Sequence, residues 1–235
     1  MQWLPATGAP PSQGHYAHQG LLLGTHAGAD AQNALLVADV KLPLRQRTAG
    51  TSAAATAPRP DGAQPFMSVV ERVPLPAPVC RARHMPQNAR LVAVAMLGAG
   101  VALVRTAHGS PAPEQPQPQQ PQQQEQEQEP MATDDAKDAD ATVTRLGGYE
   151  GGAGTFGLSW APQRPGTLLA GGLDGTLCVW DVAQGASTAP QPQPPPPPPP
   201  PRTVATGAPV SDACFHPRLA DVAGVVRGGR ALLWD

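Results

Sequence analysis

Two short apolar runs, Thr167-Leu-Leu-Ala170 and Thr176-Leu-Cys-Val-Trp180, flank the stretch Gly171-Gly-Leu-Asp174-Gly175. Runs of this length around an Asp-Gly pair predict a hairpin, because a tight primed turn needs positive φ. An earlier run, Thr155 to Trp160, stops at Ala161-Pro162, and proline cannot donate to a ladder. The pattern therefore predicts three consecutive antiparallel strands near 155–160, 167–172 and 176–181, closing on Trp180-Asp181.

The same order of runs occurs twice more. Ala82-Arg83-His84-Met85-Pro86-Gln87 and Ala213-Cys214-Phe215-His216-Pro217-Arg218 align with Leu158-Ser159-Trp160-Ala161-Pro162-Gln163. After each comes a second apolar run (Leu91 to Ala95, Leu168 to Ala170, Val222 to Val226), then a third (Val101 to Val104, Leu177 to Trp180, Ala231 to Trp234). Trp180 follows Pro162 by 18 positions, Val104 follows Pro86 by 18, and Trp234 follows Pro217 by 17. Repeats of one three-strand unit with matched internal spacing are the signature of a β-propeller. On this reading Trp160, Trp180, Phe215 and Trp234 are core positions, Asp174 holds the turn, and Asp181 closes the second repeat.

Around the repeats, residues 1–44 predict three opening strands, at Gln2 to Pro5, Leu21 to His26 and Gln32 to Val40. Residues 45–64, rich in Ala, Thr, Pro and Gly, read as a flexible connector, and Phe66 to Val73 as a further strand. The three repeats occupy 65–109, 143–183 and 203–235, the last incomplete. Residues 110–142 are Pro-, Gln- and Glu-rich and end in the acidic patch Asp134 to Asp140, too polar to offset the entropy of ordering, so disorder is expected. Residues 184–202 contain the run Pro194 to Pro201, expected to form an extended polyproline II linker. The fold class is thus all-β: opening strands, about three blades, and disordered Pro/Gln-rich insertions between them.

Composition narrows the function. The 235 residues include 31 Pro and 25 Gly, so much of the chain lies outside any packed core. A net charge of −2 gives no basic footprint and no case for direct nucleic-acid binding. The apolar run Leu91 to Val104 covers only 14 positions and is broken by Gly98-Ala-Gly100, too short to cross a membrane. The start, Met1-Gln-Trp-Leu-Pro5, has no basic region or long apolar run, so no signal peptide is expected. Cys80, Cys178 and Cys214 are odd in number and widely spaced, and set neither a zinc site nor a disulfide framework. Cys178 and Cys214 fall within strands and read as small core residues.

Two patches imitate catalytic motifs. Gly152-Ala-Gly154-Thr-Phe-Gly157 fits a phosphate-binding loop, but a strand follows it where the mechanism needs a helix. Gly157-Leu-Ser159-Trp-Ala161 is near a nucleophile elbow, yet Ser159 occupies the same repeat position as Arg83 and Cys214. Neither supports catalysis, and no cofactor or metal is expected.

Several strings come in the order of one family: Gln2-Trp-Leu-Pro5, Leu22-Leu-Gly-Thr-His26, Arg81-Ala-Arg83 with Met85-Pro-Gln-Asn88, Gly157-Leu-Ser-Trp160, and Leu177-Cys-Val-Trp-Asp181. They resemble the WD-repeat histone-binding proteins, the retinoblastoma-binding and chromatin-assembly-factor p48-like group. The resemblance implies a seven-bladed ring, of which this chain carries the opening strands and three blades. It also implies a nuclear, non-enzymatic scaffold whose partners are histones and subunits of chromatin complexes. In that family an Asp-His-Ser/Thr-Trp set ties a blade together; here Tyr149 stands in the His place and Asp174 and Trp180 fit two other members. The family's central face carries acids for basic histone tails. Here the matching places hold Cys80 and Gly154 instead, while Arg81, Phe156 and Asp212 remain as candidate partner-binding residues. Weakened histone binding is the expectation, with a generic WD-type interaction module outside chromatin, or a nonfunctional truncated copy, as the alternative.

Overall fold

The computed structural model describes residues 1–5, 16–28, 31–43, 66–107, 143–149, 154–182 and 200–235. The expectations for the connector at 45–64, the insertion at 110–142 and the linker up to 199 lie outside the described residues. Among the described residues every regular element is a strand. Sheet one holds β1 (Gln2–Trp3), β2 (Tyr16–Gly24), β3 (Asn33–Pro43) and β4 (Met67–Leu75) in that order. Sheet two holds β5 (Val79–Met85), β6 (Asn88–Met96), β7 (Gly100–Arg105) and β8 (Val143–Arg145). Sheet three holds β9 (Thr155–Trp160), β10 (Thr167–Gly172), β11 (Thr176–Asp181) and β12 (Arg202–Ala205), and sheet four β13 (Val210–Phe215), β14 (Ala223–Arg227) and β15 (Arg230–Trp234). All pairings are antiparallel. The architecture is a partial WD-repeat β-propeller.

The fourth strands do not follow the segment boundaries expected from the repeat spacing. β8 lies within 143–183 yet pairs with β7, Val104 facing Val143. β12 starts at Arg202, inside the expected linker, and pairs with β11, Val179 facing Arg202. Sheets two and three thus each gain a fourth strand drawn from beyond the intervening low-complexity tract.

Sheets stack face to face, and the core sits between them in three clusters. Leu4, Leu22, Leu35 and Val37 of the first sheet meet Val92, Val94 and Met96 of the second. Ala93, Ala95 and Val101 meet Leu158, Trp160, Leu168 and Trp180. Leu169 and Leu177 meet Val210, Ala213 and Val225. Sheets two and three are covered on both faces, which is why Leu91 to Met96 and Leu168 to Gly172 are continuous apolar runs with no alternation. Sheet four is covered on one face, and β15 is exposed along its whole length.

The turn of sheet three is closed by Gly175 N–H on the Gly172 carbonyl at 3.1 Å, with φ of 79° at Gly175. Asp174 Oδ1 accepts the Thr176 N–H at 3.0 Å, so the carboxylate caps its own turn. Tyr149 fills the place expected for a histidine: its hydroxyl bonds Thr155 Oγ1 at 3.0 Å and its ring meets Trp180 edge to face, centroids 6.2 Å apart. Trp180 is fully buried and its Nε1 donates to the Gly147 carbonyl at 3.1 Å.

Three core expectations change. Trp234 is 38% exposed, Phe215 is only half-buried and Cys214 is exposed, against buried Trp180, Trp160 and Cys178 at the equivalent or neighbouring places. The cause is local: Ala208 replaces the Tyr149 ring, no fourth strand flanks β15 among the described residues, and Cys214 lies on the uncovered face beside Gly224.

Candidate functional site

The inner strands β1, β5, β9 and β13 run side by side, one from each sheet, and they bring the candidate residues together. Proline follows β5 and β9 and starts a loop, and the glutamine after it donates across to the next sheet. Gln87 Nε2 reaches the Pro162 carbonyl at 2.7 Å, and Gln163 Nε2 reaches the Pro217 carbonyl at 3.0 Å. Higher along the strands, Gln2 Oε1 accepts the His84 N–H at 2.9 Å, Trp160 Nε1 donates to the Arg83 carbonyl at 2.8 Å, and Ser159 Oγ accepts the Phe215 N–H at 3.1 Å. The strands are therefore pinned sheet to sheet, and the repeated Pro-Gln pair has a structural purpose. Ser159 sits inside a strand, bonded to backbone, in no position to act as a nucleophile.

Arg81, Gly157 and Asp212 occupy equivalent places on β5, β9 and β13. Because Gly157 has no side chain, Arg81 reaches past sheet three to Asp212, Nη1 to Oδ1 2.6 Å. An added Cβ on Gly157 would lie 2.9 Å from the Ala213 nitrogen. Below this pair is a cavity of about 260 Å³ lined by Gln2, Arg83, His84, Ser159 and Trp160 together with Arg81 and Asp212. Burial pushes the Arg83 guanidinium down, the Arg81 charge adds to that, and Asp212 opposes both. Burial and then the Arg83 charge push His84 down. Phe156 does not join this group: it is 36% exposed and folds over Gly154 next to Leu97.

Residues 1–44, which form β1 to β3 and carry Leu4 and Leu22 into the first core, match the family described as histone-binding protein RBBP4 or a component of the CAF1 complex. The WD-40 repeat-containing protein MSI3 of Arabidopsis thaliana is 29% identical over 188 residues, 80% of this chain and 38% of that protein. Histone acetyltransferase type B subunit 2 is 28% identical over 193 residues in Schizosaccharomyces pombe, 81% of this chain and 39% of that protein. In Mycosarcoma maydis it is 28% identical over 251 residues, 100% of this chain and 51% of that protein.

The chain is a relative of the WD-repeat histone-binding proteins.

It spans between 38% and 51% of the length of these relatives. The β-propeller domain of Cps50 (Swd1) from Myceliophteria thermophila superposes with a TM-score of 0.41 at 15% identity, over 68% of this chain and 34% of that one. Against the expectation for a WD-repeat histone-binding relative, the central face holds two arginines, Arg81 and Arg83, and one carboxylate, Asp212. Arg83, Ser159 and Cys214 were visible as equivalent repeat positions, but their convergence on one cavity depends on how three sheets stack. Nothing in the sequence marked Gln2 as a lining residue.

The Arg81–Asp212 pair is partly screened, with the two side chains 26% and 52% exposed. A double-mutant cycle with Arg81→Ala and Asp212→Ala should give a coupling of about 0.5–1 kcal/mol from urea midpoints, shrinking in high salt. Additive losses would show that the contact adds nothing between sheets two and four.

Proposed function

We propose that this chain is a non-catalytic, nuclear WD-repeat scaffold that joins histones or histone-handling subunits of chromatin complexes. The observation that supports this most is the match of residues 1–44 to the histone-binding family, because those residues form a sheet that packs onto the first repeat through Leu22, Leu35 and Val37. MSI3 and the type B acetyltransferase subunits extend the likeness across the repeats.

Within that role, recognition of a basic histone tail on the central face is weakened. Cys80 and Gly154 stand where the family's acids would be, and Asp212 is engaged by Arg81. Each lost charge-assisted hydrogen bond removes about 1.5–3 kcal/mol, so three losses move a micromolar site beyond about 1 mM. Purified core histones and an isolated tail peptide separate the two parts of the proposal. Retention of intact histones with no calorimetric signal for the tail peptide is the expected result. Failure to retain intact histones overturns the scaffold role. Micromolar tail binding that disappears on Phe156→Ala overturns the weakened face, since an intact aromatic cradle for a cation would then be at work.

A further inference from the structure

The central face has the wrong charge for a basic ligand and the donors for an acidic one. Arg83 is a half-buried guanidinium with five N–H donors, of which Nη1 reaches the Ala82 carbonyl at 2.9 Å. Among the described residues no carboxylate lies within ion-pair distance of it, because Asp212 is turned to Arg81. In the same cavity the Nδ1 atom of His84 is buried and meets no partner. Buried polar atoms in folded chains are nearly always satisfied, so an orphaned ring nitrogen beside an underused guanidinium marks a place a ligand completes. Two arginines against one aspartate leave the cavity with a net positive charge, and its volume of about 260 Å³ accommodates one short acidic side chain.

We infer that the notch between β1, β5, β9 and β13 binds a carboxylate presented by an acidic peptide, with Arg83 as its principal donor. Arg81 is a second donor held in reserve by Asp212. The fork of Arg83 suits the planar carboxylate, and the Gln2 amide lies at the rim of the same cavity. A free carboxylate ion shares this chemistry, and the difference between the two sources is one of reach: a peptide also contacts the ends of the inner strands. The inference does not depend on histone binding and would hold for a scaffold of any complex.

The test is fluorescence anisotropy of a labelled Glu-Ser repeat peptide against the full chain, with a Lys-Ser peptide of equal length as the opposite charge. The Glu peptide should bind and the Lys peptide should not. Arg83→Gln should weaken the Glu peptide about tenfold or more, whereas Arg83→Lys, which keeps the charge and loses the fork, should lose less. Asp212→Asn should tighten it several-fold, because Arg81 is released. Arg230→Gln, an exposed arginine on β15 away from the notch, should change nothing. Competition by free glutamate only at concentrations far above the peptide's affinity assigns the site to the peptide. Competition at concentrations matching that affinity assigns it to the small ion and overturns the peptide as its ligand. Binding indifferent to Arg83→Gln, or weakened by Asp212→Asn, also overturns the proposal. Because one variant is expected to weaken binding and another to strengthen it, loss of folding cannot reproduce the pattern.

Discussion

Replacing Gly172 by alanine should destabilise the chain by about 3 kcal/mol or more, at the upper end of what overpacking costs. A Cβ at Gly172 would lie 1.8 Å from the Tyr149 hydroxyl and 2.7 Å from Asp174 Oδ1. Neither group can move aside freely. The Tyr149 hydroxyl is bonded to the buried Thr155, its ring is set against Trp180, and Asp174 caps the turn. Burial pushes the Tyr149 phenol up, with the Thr155 hydrogen bond acting the other way, as expected for a hydroxyl enclosed in the core. For a chain of this size the loss amounts to a melting temperature lower by about 6–12 °C. Tyr149→Phe removes the oxygen and leaves the ring carbon, at 3.1 Å, as the nearest tyrosine atom. The double variant should therefore be more stable than the sum of the two single losses predicts, by about 1 kcal/mol. Strict additivity would mean that the clash is relieved by backbone movement and that Tyr149 is not the obstacle.

What could be read in advance follows from how each part is buried. β9, β10 and β11 begin and end at the expected residues, because sheet three is covered on both faces and every one of those strands carries a long apolar run. β8 and β12 escaped because Val143-Thr-Arg145 and Arg202-Thr-Val-Ala205 are short, exposed edge strands with little apolar content to mark them. Their pairing is fixed by the sheet they close, not by their own composition. The candidate site divides in the same way. Arg81 and Asp212 carried a signal as repeat positions, yet they are 131 residues apart, and their contact depends on the missing side chain of Gly157. Phe156 was grouped with them by its neighbours in sequence, and the alternation of a strand turned it to the Leu97 side. His84 and Gln2 become relevant only once β1 and β5 lie together.

Trp180→Ala should cost about 3–5 kcal/mol, whereas Trp234→Ala should cost no more than about 1 kcal/mol, although the two tryptophans end equivalent strands of the repeat. Trp180 faces Leu168 across β10 and is enclosed by Leu146, Tyr149 and Trp160, with its indole N–H bonded to Gly147. Truncation there leaves a cavity between sheets two and three and strands the Gly147 carbonyl. Trp234 faces Ala223 across β14, has 38% of its surface in solvent, and no acceptor among the described residues meets its indole. Removing it exposes little that was not already wet. Urea unfolding followed by circular dichroism gives both losses directly, and Trp180→Phe, which keeps a ring and drops the hydrogen bond, supplies a milder point should the alanine variant not fold. Equal losses at 180 and 234 would mean that sheet four is buried in solution by something that covers β15, and that its open face is an interface.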